Sequence, residues 1–89
     1  MYALVETVTI TDYEKARKLL QEMLPTIKTV DGFVGGYWLA PVDGTGMSVT
    51  VYETEAAANT MKDQMKPGTA LNEYVTVVSS EVREVAGNL

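Results

Sequence analysis

The sequence predicts a single α+β domain over residues 1–89, with four strands and two helices in the order βαββαβ. Segments rich in β-branched residues stand at both ends and in the middle of the chain, and two segments with apolar residues at helical spacing separate them. Clusters of Gly, Pro and Asp mark turns between these segments. Because 89 residues are too few to build two hydrophobic cores, no domain boundary is expected.

The opening third of the chain predicts the first strand and the first helix. Residues 2–10 contain neither Gly nor Pro and are dense in β-branched side chains, which favours a strand. Thr11 and Glu14 have the spacing of a capping box, so a helix is expected to begin there. Pro25 is expected to kink or end that helix. The apolar residues predicted to form its buried stripe are Tyr13, Ala16, Leu20, Met23, Leu24 and Ile27.

The rest of the chain predicts a hairpin, a second helix and a last strand. Residues 33–41 and 47–53 are predicted to be antiparallel strands joined by a hairpin loop. Thr54 is expected to cap a helix that reaches about Lys66, and residues 74 to about 85 are predicted to be the last strand. The residues predicted to line the inner side of the second helix are Ala57, Ala58, Met61 and Met65.

This order predicts a ferredoxin-like, four-stranded antiparallel sheet with both helices on one face. In the first and last strands, however, apolar residues occupy both alternating sets. In the first strand, one face would carry Leu4, Val8 and Ile10, and the other face Ala3 and Val5. In the last strand, one face would carry Val78 and Val82, and the other face Val75, Val77 and Val85. A sheet with one face in water shows cleaner alternation. We therefore expect a second copy to cover the other face, in a homodimer packed sheet to sheet.

The composition argues against several classes of function. The chain has no His and no Cys, which removes the imidazole base, the thiol nucleophile and the commonest zinc ligands, so no metal site is expected. A net charge of −5 argues against binding of nucleic acid. The N-terminal stretch has no basic region, and Glu6 interrupts its apolar run. We therefore expect no membrane association and interpret the protein as soluble and cytoplasmic.

Two segments give the chain a likeness to a known family. Gly32-Phe33 follows the amphipathic helix, and residues 51–57, Val-Tyr-Glu-Thr-Glu-Ala-Ala, lead from the hairpin into the second helix. This pattern resembles the antibiotic-biosynthesis-monooxygenase-like (ABM-like) domains of the dimeric α+β barrel superfamily. The resemblance implies a dimer in which two sheets form a barrel with the helices outside. It also implies a function among cofactor-free oxygenation of polyketide quinols, haem degradation and isomerisation.

The resemblance can be followed to individual positions. The asparagine that the haem-degrading branch has in its first strand would fall near Thr7, its second-helix tryptophan near Met61, and its histidine has no counterpart. Neither haem degradation nor any other use of a cofactor is therefore expected. The leading interpretation is a cofactor-independent monooxygenase acting on an aromatic or polyketide-type molecule. The alternative is a non-enzymatic homodimeric module that binds a small apolar ligand or serves as an interaction domain.

Three aromatic residues are candidates for substrate binding. Trp38 and Tyr37 are neighbours in a strand and must point to opposite faces of the sheet, so only one of them can line a pocket on the helix side. Its ring would stack on a planar ligand, and the other ring would face the partner subunit. Tyr52 has a hydroxyl that would orient a ligand, although strand tyrosines also serve as packing residues.

Three further candidates complete the predicted binding site. Met61 stands on the inner side of the second helix, where small residues leave room for a pocket, although methionine also fills gaps in a core. Asn59 lies either at the edge of that pocket or in solvent. Arg83 would neutralise a substrate enolate, or else form a cross-strand ion pair with a glutamate. No catalytic residue is assigned from the sequence.

Overall fold

The computed structural model describes residues 1–89 and confirms an α+β fold, with two helices and one antiparallel sheet. The elements are β1 (Tyr2–Ile10), α1 (Tyr13–Ile27), β2 (Phe33–Val42), β3 (Thr45–Tyr52), α2 (Glu55–Gln64), β4 (Ala70–Asn72) and β5 (Val75–Glu84). The sheet has five strands in the order β2-β3-β1-β5-β4, so the expected number of four is wrong. Its four long strands have the ferredoxin-like arrangement.

The additional strand, β4, is a three-residue edge strand that pairs with the start of β5. The Asn72 side chain accepts a hydrogen bond of 2.8 Å from the backbone N–H of Tyr74, which closes the tight turn between the two strands. A segment of three residues is too short to show a periodic pattern, which is why the sequence did not predict it.

The hairpin between β2 and β3 is tighter than predicted. Its turn consists of Asp43 and Gly44, which both have positive φ angles, 52° and 77°. Asp-Gly favours this turn because neither residue pays the full steric cost of a left-handed conformation. The strands therefore extend to Val42 on one side and from Thr45 on the other.

The start of α1 lies one residue later than the capping box predicted. The side chain of Asp12, not that of Thr11, accepts the hydrogen bond from the backbone N–H of Lys15, at 3.2 Å. Thr11 remains bonded to the carbonyl of Tyr74 and so belongs to the end of the sheet. The helix continues two residues beyond Pro25 before it ends at Ile27.

The buried stripe of α1 also differs from the prediction. Only Ala16 is buried, and Tyr13 and Met23 are exposed. Leu19, Leu20, Leu24 and Ile27 are half-buried. The helix is thus amphipathic, but its apolar side does not pack tightly onto the sheet.

By contrast, α2 packs as the sequence predicts. Thr54 caps the helix by accepting a hydrogen bond of 3.1 Å from the N–H of Ala57, and the helix ends at Gln64, slightly before the predicted Lys66. Ala58 is completely buried against Leu4 and Tyr52. The other residues of the predicted inner side, Ala57, Met61 and Met65, pack around this core cluster.

A β-bulge at Val78 changes the faces of β5. The pairing of β5 with β1 shifts by one residue between Thr7 and Val8, which leaves Val78 as an extra residue. As a result, Val77 lies on the same side as Val82, toward the helices. The prediction that these two valines face opposite sides is therefore wrong, because the bulge resets the alternation.

Candidate functional site

The side of the sheet that faces the helices carries a row of polar residues across its middle. Trp38 on β2 pairs with Ser48 on β3, Ser48 pairs with Glu6 on β1, and Glu6 pairs with Ser80 on β5. Directly paired residues of antiparallel strands project from the same face. These four side chains, the central row, therefore share the side of Leu4 and Tyr52, on which α2 packs.

Glu6 is the most unusual member of the central row. Only 6% of its surface is exposed, and its carboxylate forms no hydrogen bond or ion pair within the protein. Burial raises the pKa of the Glu6 carboxyl above its usual value, because a charge is disfavoured where it is less well solvated than in bulk water. The sequence analysis missed this residue. Its signal was an acidic residue at an inward position of an apolar strand, between Leu4 and Val8.

Two hydroxyl residues of β3 lie beside Glu6. Ser48 and Thr50 are both buried on the same side of the sheet. Thr50 Oγ1 is sealed from solvent and has no hydrogen-bond partner. Glu6, Ser48 and Thr50 together form a polar floor beneath the helices. Buried polar groups are normally paired, so an unpaired group of this kind calls for an explanation.

Ser80, at the other end of the row, has a structural role. Its hydroxyl donates a hydrogen bond of 2.8 Å to the backbone carbonyl of Met65, directly after α2. This bond fixes the end of α2 over β5. Ser80 therefore does not pair with the carboxylate of Glu6.

Trp38 lies on the helix-facing side, where it is half-buried at the β2 end of the row. Its indole extends over Gly36, since a Cβ atom at Gly36 would lie 3.2 Å from Trp38 Cη2 and 3.0 Å from Thr50 Cγ2. The glycine thus makes room for the ring beside the polar floor. Tyr37 points to the opposite face and is 76% exposed.

The other predicted site residues do not join this group. Tyr52 is in the core, edge to face with Phe33 at 5.8 Å between ring centroids. Burial raises the pKa of Tyr52, the nearby Thr50 side chain works against this rise, and the charge of Glu6 adds to it. Met61 packs against the same core, and Asn59 is exposed on α2.

Arg83 lies on the opposite side of the sheet from the polar floor, because it pairs with Ala3 of β1. Its guanidinium forms an ion pair of 3.2 Å with Glu81 on the same strand, and both side chains are exposed. The expected glutamate partner is therefore present, but along the strand and not across it. Within one subunit, Arg83 is on the wrong face to neutralise a ligand held beside Trp38.

The helix α1 lies nearest to β2, whereas α2 makes the closer approach to β1, β3 and β5. An open depression of about 460 Å³ lies between α1 and the β4–β5 turn. Its lining consists of Lys15, Lys18, Leu19, Glu22, Asn72, Glu73 and Tyr74. Neither Trp38 nor Tyr37 contributes to it. The residues of the polar floor, Glu6, Ser48 and Thr50, do not line it either.

No cluster of acidic side chains in the structure has a geometry suited to hold a metal ion. Neither helix has the length and apolar character needed to cross a membrane.

The comparisons with known proteins identify the fold. No protein family matches the chain, and no curated protein matches its sequence. Among solved structures, the haem degrader MhuD from Mycobacterium tuberculosis, with two haems bound in its active site, matches 100% of this chain and 99% of its own, with a TM-score of 0.63. The two proteins share a fold. At 20% sequence identity the likeness extends to the fold alone, and it supports the resemblance to ABM-like domains at that level.

The position of the indole can be tested with Gly36→Ala. The added Cβ would meet Trp38, Thr50 and the carbonyl of Val49 at 3.0–3.2 Å, so the ring must move. We expect a shift in the emission of Trp38, the only tryptophan, and a loss of about 1–3 kcal/mol in the free energy of unfolding. Fluorescence spectra and chemical denaturation measure both quantities.

The matched control is Gly35→Ala, because a Cβ at Gly35 would meet nothing within 4 Å. It should leave the emission of Trp38 unchanged. If the spectra of the two variants were indistinguishable, the indole would not lie over Gly36.

Proposed function

We propose that the protein is a cytoplasmic homodimer of the ABM-like type that binds a small aromatic or polyketide-type molecule between α1 and the sheet and oxygenates it without a cofactor. The observation that carries this proposal is the polar floor, which sets a carboxylate and two hydroxyls, buried and unpaired with one another, beside the only tryptophan. Buried polar groups without partners cost free energy. A ligand that supplies the missing partners explains why they are present.

The character of the ligand follows from what surrounds the floor. The indole of Trp38 offers a flat apolar surface on which an aromatic ring can stack. Of the α1 leucines, Leu19, Leu20 and Leu24 are half-buried and would add apolar surface where this helix faces the sheet. The hydrogen-bonding groups are confined to the floor, so a ligand is expected to be apolar except for hydroxyl or carbonyl groups on one edge.

Oxygenation of such a molecule needs neither metal nor flavin. When an activated ring CH₂ group loses a proton, the resulting carbanion can give an electron to O₂, and the two radicals combine to a hydroperoxide. Loss of water then leaves a carbonyl, so that RH₂ and O₂ become R=O and H₂O. The substrate supplies all four electrons. The protein has to bind the ring, exclude bulk water and assist the proton transfer.

The exposed face of the sheet supports dimerisation through a second copy. Tyr37, Leu39 and Met47 lie on this face and are exposed. Val49 pairs with Tyr37, and Val5 pairs with Val49 on its other side. The β5 part of this face carries the exposed ion pair of Glu81 and Arg83, so the apolar area is confined to β1, β2 and β3. A monomer gains nothing from an apolar area of this kind in water. Because the fold resembles that of ABM-like domains, an identical sheet is the partner that fits this face best.

The alternative function is a homodimeric module that binds a small ligand without converting it. The absence of His and Cys favours it, as does the small exposure of the polar floor in the single chain. A module of this kind binds an aromatic probe but consumes no oxygen.

Haem fits the site poorly. The chain has no His or Cys to serve as an axial ligand, and the hydroxyl-bearing Tyr52 is only 2% exposed in the core. The carboxylate of Glu6 would also repel the propionates of a haem placed over the floor. We therefore derive no reaction step through haem.

The dimer is tested by Leu39→Glu, which puts a charge into the proposed interface. We expect the parent protein to elute as a dimer and this variant as a monomer, because an unpaired charge is costly in a buried interface. Size-exclusion chromatography with light scattering measures the mass. Met23→Glu is the matched control, since Met23 on α1 has the same exposure, 53%. A monomeric parent at micromolar concentration, or a monomeric Met23→Glu variant, would contradict the proposed interface.

The oxygenase is tested with dithranol, an uncharged anthrone, by following oxygen uptake above the spontaneous rate. Trp38→Ala should lower the enzymatic rate by about 100-fold, because the ring that orients the substrate is lost. Lys66→Ala, at an exposed position after α2, should have the activity of the parent. With ¹⁸O₂, half of the label should enter the product and half the water. Binding of dithranol with no uptake of oxygen would favour the module over the enzyme.

A further inference from the structure

We propose that Glu6 is the residue that takes the proton from the ligand, and that the polar floor therefore selects neutral ligands with an acidic hydroxyl or CH group over anionic ones. The inference rests on the proposed function for its reaction, but the selection by charge stands on the position of Glu6 alone. It assigns a role to a residue that no motif identifies.

The first argument is that Glu6 has no structural function. It occupies the centre of β1, between the buried residues Leu4 and Val8, where an apolar side chain would stabilise the sheet. No residue pairs with its carboxylate, because the neighbouring Ser80 donates to Met65. A buried, unpaired carboxylate lowers stability, so its presence here points to a role in binding or catalysis.

The second argument is that no positive charge compensates Glu6. From β3, the neighbouring titratable group is Tyr52, which is neutral at ordinary pH. On α2, Lys62 is half-buried but forms no ion pair with Glu6. On α1, Lys15 is exposed and lies 3.9 Å from Asp12, and Lys18 is exposed as well.

The remaining elements add no charge to the floor. On the helix-facing side, β5 contributes Val77, Ser80 and Val82. On β2, Trp38 pairs with Ser48, and Gly36 pairs with Thr50. The Glu6 carboxylate is therefore an isolated negative charge when it is ionised.

The chemistry of proton transfer suits such a group. Burial raises the pKa of Glu6 and so makes it a stronger base than an exposed glutamate, closer to the neutral pH at which it would act. It accepts a proton from the ligand, and the negative charge passes to the ring system, where it is delocalised. After O₂ has added, the peroxide anion takes the proton back from Glu6. The hydroperoxide then loses water, and the carboxylate is restored.

The same isolation determines which ligands can bind. A second negative charge close to Glu6, in a site with little water, is disfavoured by Coulomb repulsion. Ligands with a carboxylate or phosphate group should therefore be rejected. The hydroxyls of Ser48 and Thr50 are suited to donate to a ligand oxygen, such as the carbonyl of an anthrone.

The test compares Glu6→Gln with the parent on dithranol, and uses Glu53→Gln, at an exposed position, as the control. Glu6→Gln should bind dithranol, as quenching of Trp38 emission shows, but consume oxygen about 100 times more slowly. In the parent, the rate should rise as the pH passes through the pKa of Glu6, and Glu6→Gln should lack this rise. Equal rates for the parent and Glu6→Gln would overturn the role of Glu6 while the oxygenase stands.

Selection by charge is measured separately by fluorescence titration with anthrone and with a carboxylated anthrone. The parent should bind the carboxylated probe more weakly by roughly tenfold or more, and Glu6→Gln should lose much of this difference. If neither protein consumed oxygen but this pattern held, the oxygenase would fail and the selection by Glu6 would stand. Equal discrimination by both proteins would overturn the inference.

A third readout does not depend on any ligand. Because the folded protein holds the proton of Glu6 more tightly than the unfolded chain, the contribution of Glu6 to stability is greatest at acid pH and is lost as the pH rises through its folded pKa. Glu6→Gln removes this loss. The Tm of Glu6→Gln minus the Tm of the parent should therefore increase from acid to neutral pH. If this Tm difference did not depend on pH, it would contradict the burial of an unpaired carboxylate.

Discussion

The pairing of β1 with β3 and β5 determines which side chains lie beneath the helices, and the rest of the structure depends on it. A shift of one residue in this register would turn Glu6 outward and bring Val5 inward. The register is held by the inward residues Leu4 and Val8, which are buried, and by the packing of Ala58 on Leu4. The apolar residues of β1 therefore place an acid at the centre of the sheet.

The burial of Glu6 lowers the stability of the fold, and it places an acidic group in the candidate site. The core cluster of Leu4, Tyr52 and Ala58 is at one end of the helix-facing side, with α2 packed onto it. Toward the middle, the sheet presents a carboxylate and hydroxyls, and α1 lies nearest to β2. Only Ala16 of α1 is buried, and segments with few buried contacts are those that open most easily.

Much of the fold was predictable from local patterns. The bounds of β1 and the cap at Thr54 follow from β-branched composition and capping chemistry, and both agree with the structure. The features that were missed have no local signature of sufficient length. The strand β4 has three residues, and the bulge at Val78 appears only in the pairing with β1.

The candidate site was less predictable. Alternation along β2 separates Tyr37 from Trp38, but it does not say which of them faces the helices. That depends on the register with Ser48, a contact distant in sequence. From the sequence, Glu6 is only an interruption of an apolar run, because one strand alone does not show that it lies between β3 and β5 or which of its faces is covered.

The most direct test of this account is the titration of the Glu6 carboxyl by ¹³C NMR, with the signal assigned by its absence from the Glu6→Gln variant. The account predicts that Glu6 titrates at higher pH than the exposed glutamates of the same chain, and that an uncharged anthrone bound at the floor alters its titration. If Glu6 titrated together with the exposed glutamates and did not respond to the anthrone, the carboxylate would be solvated, and the polar floor would not be the binding site.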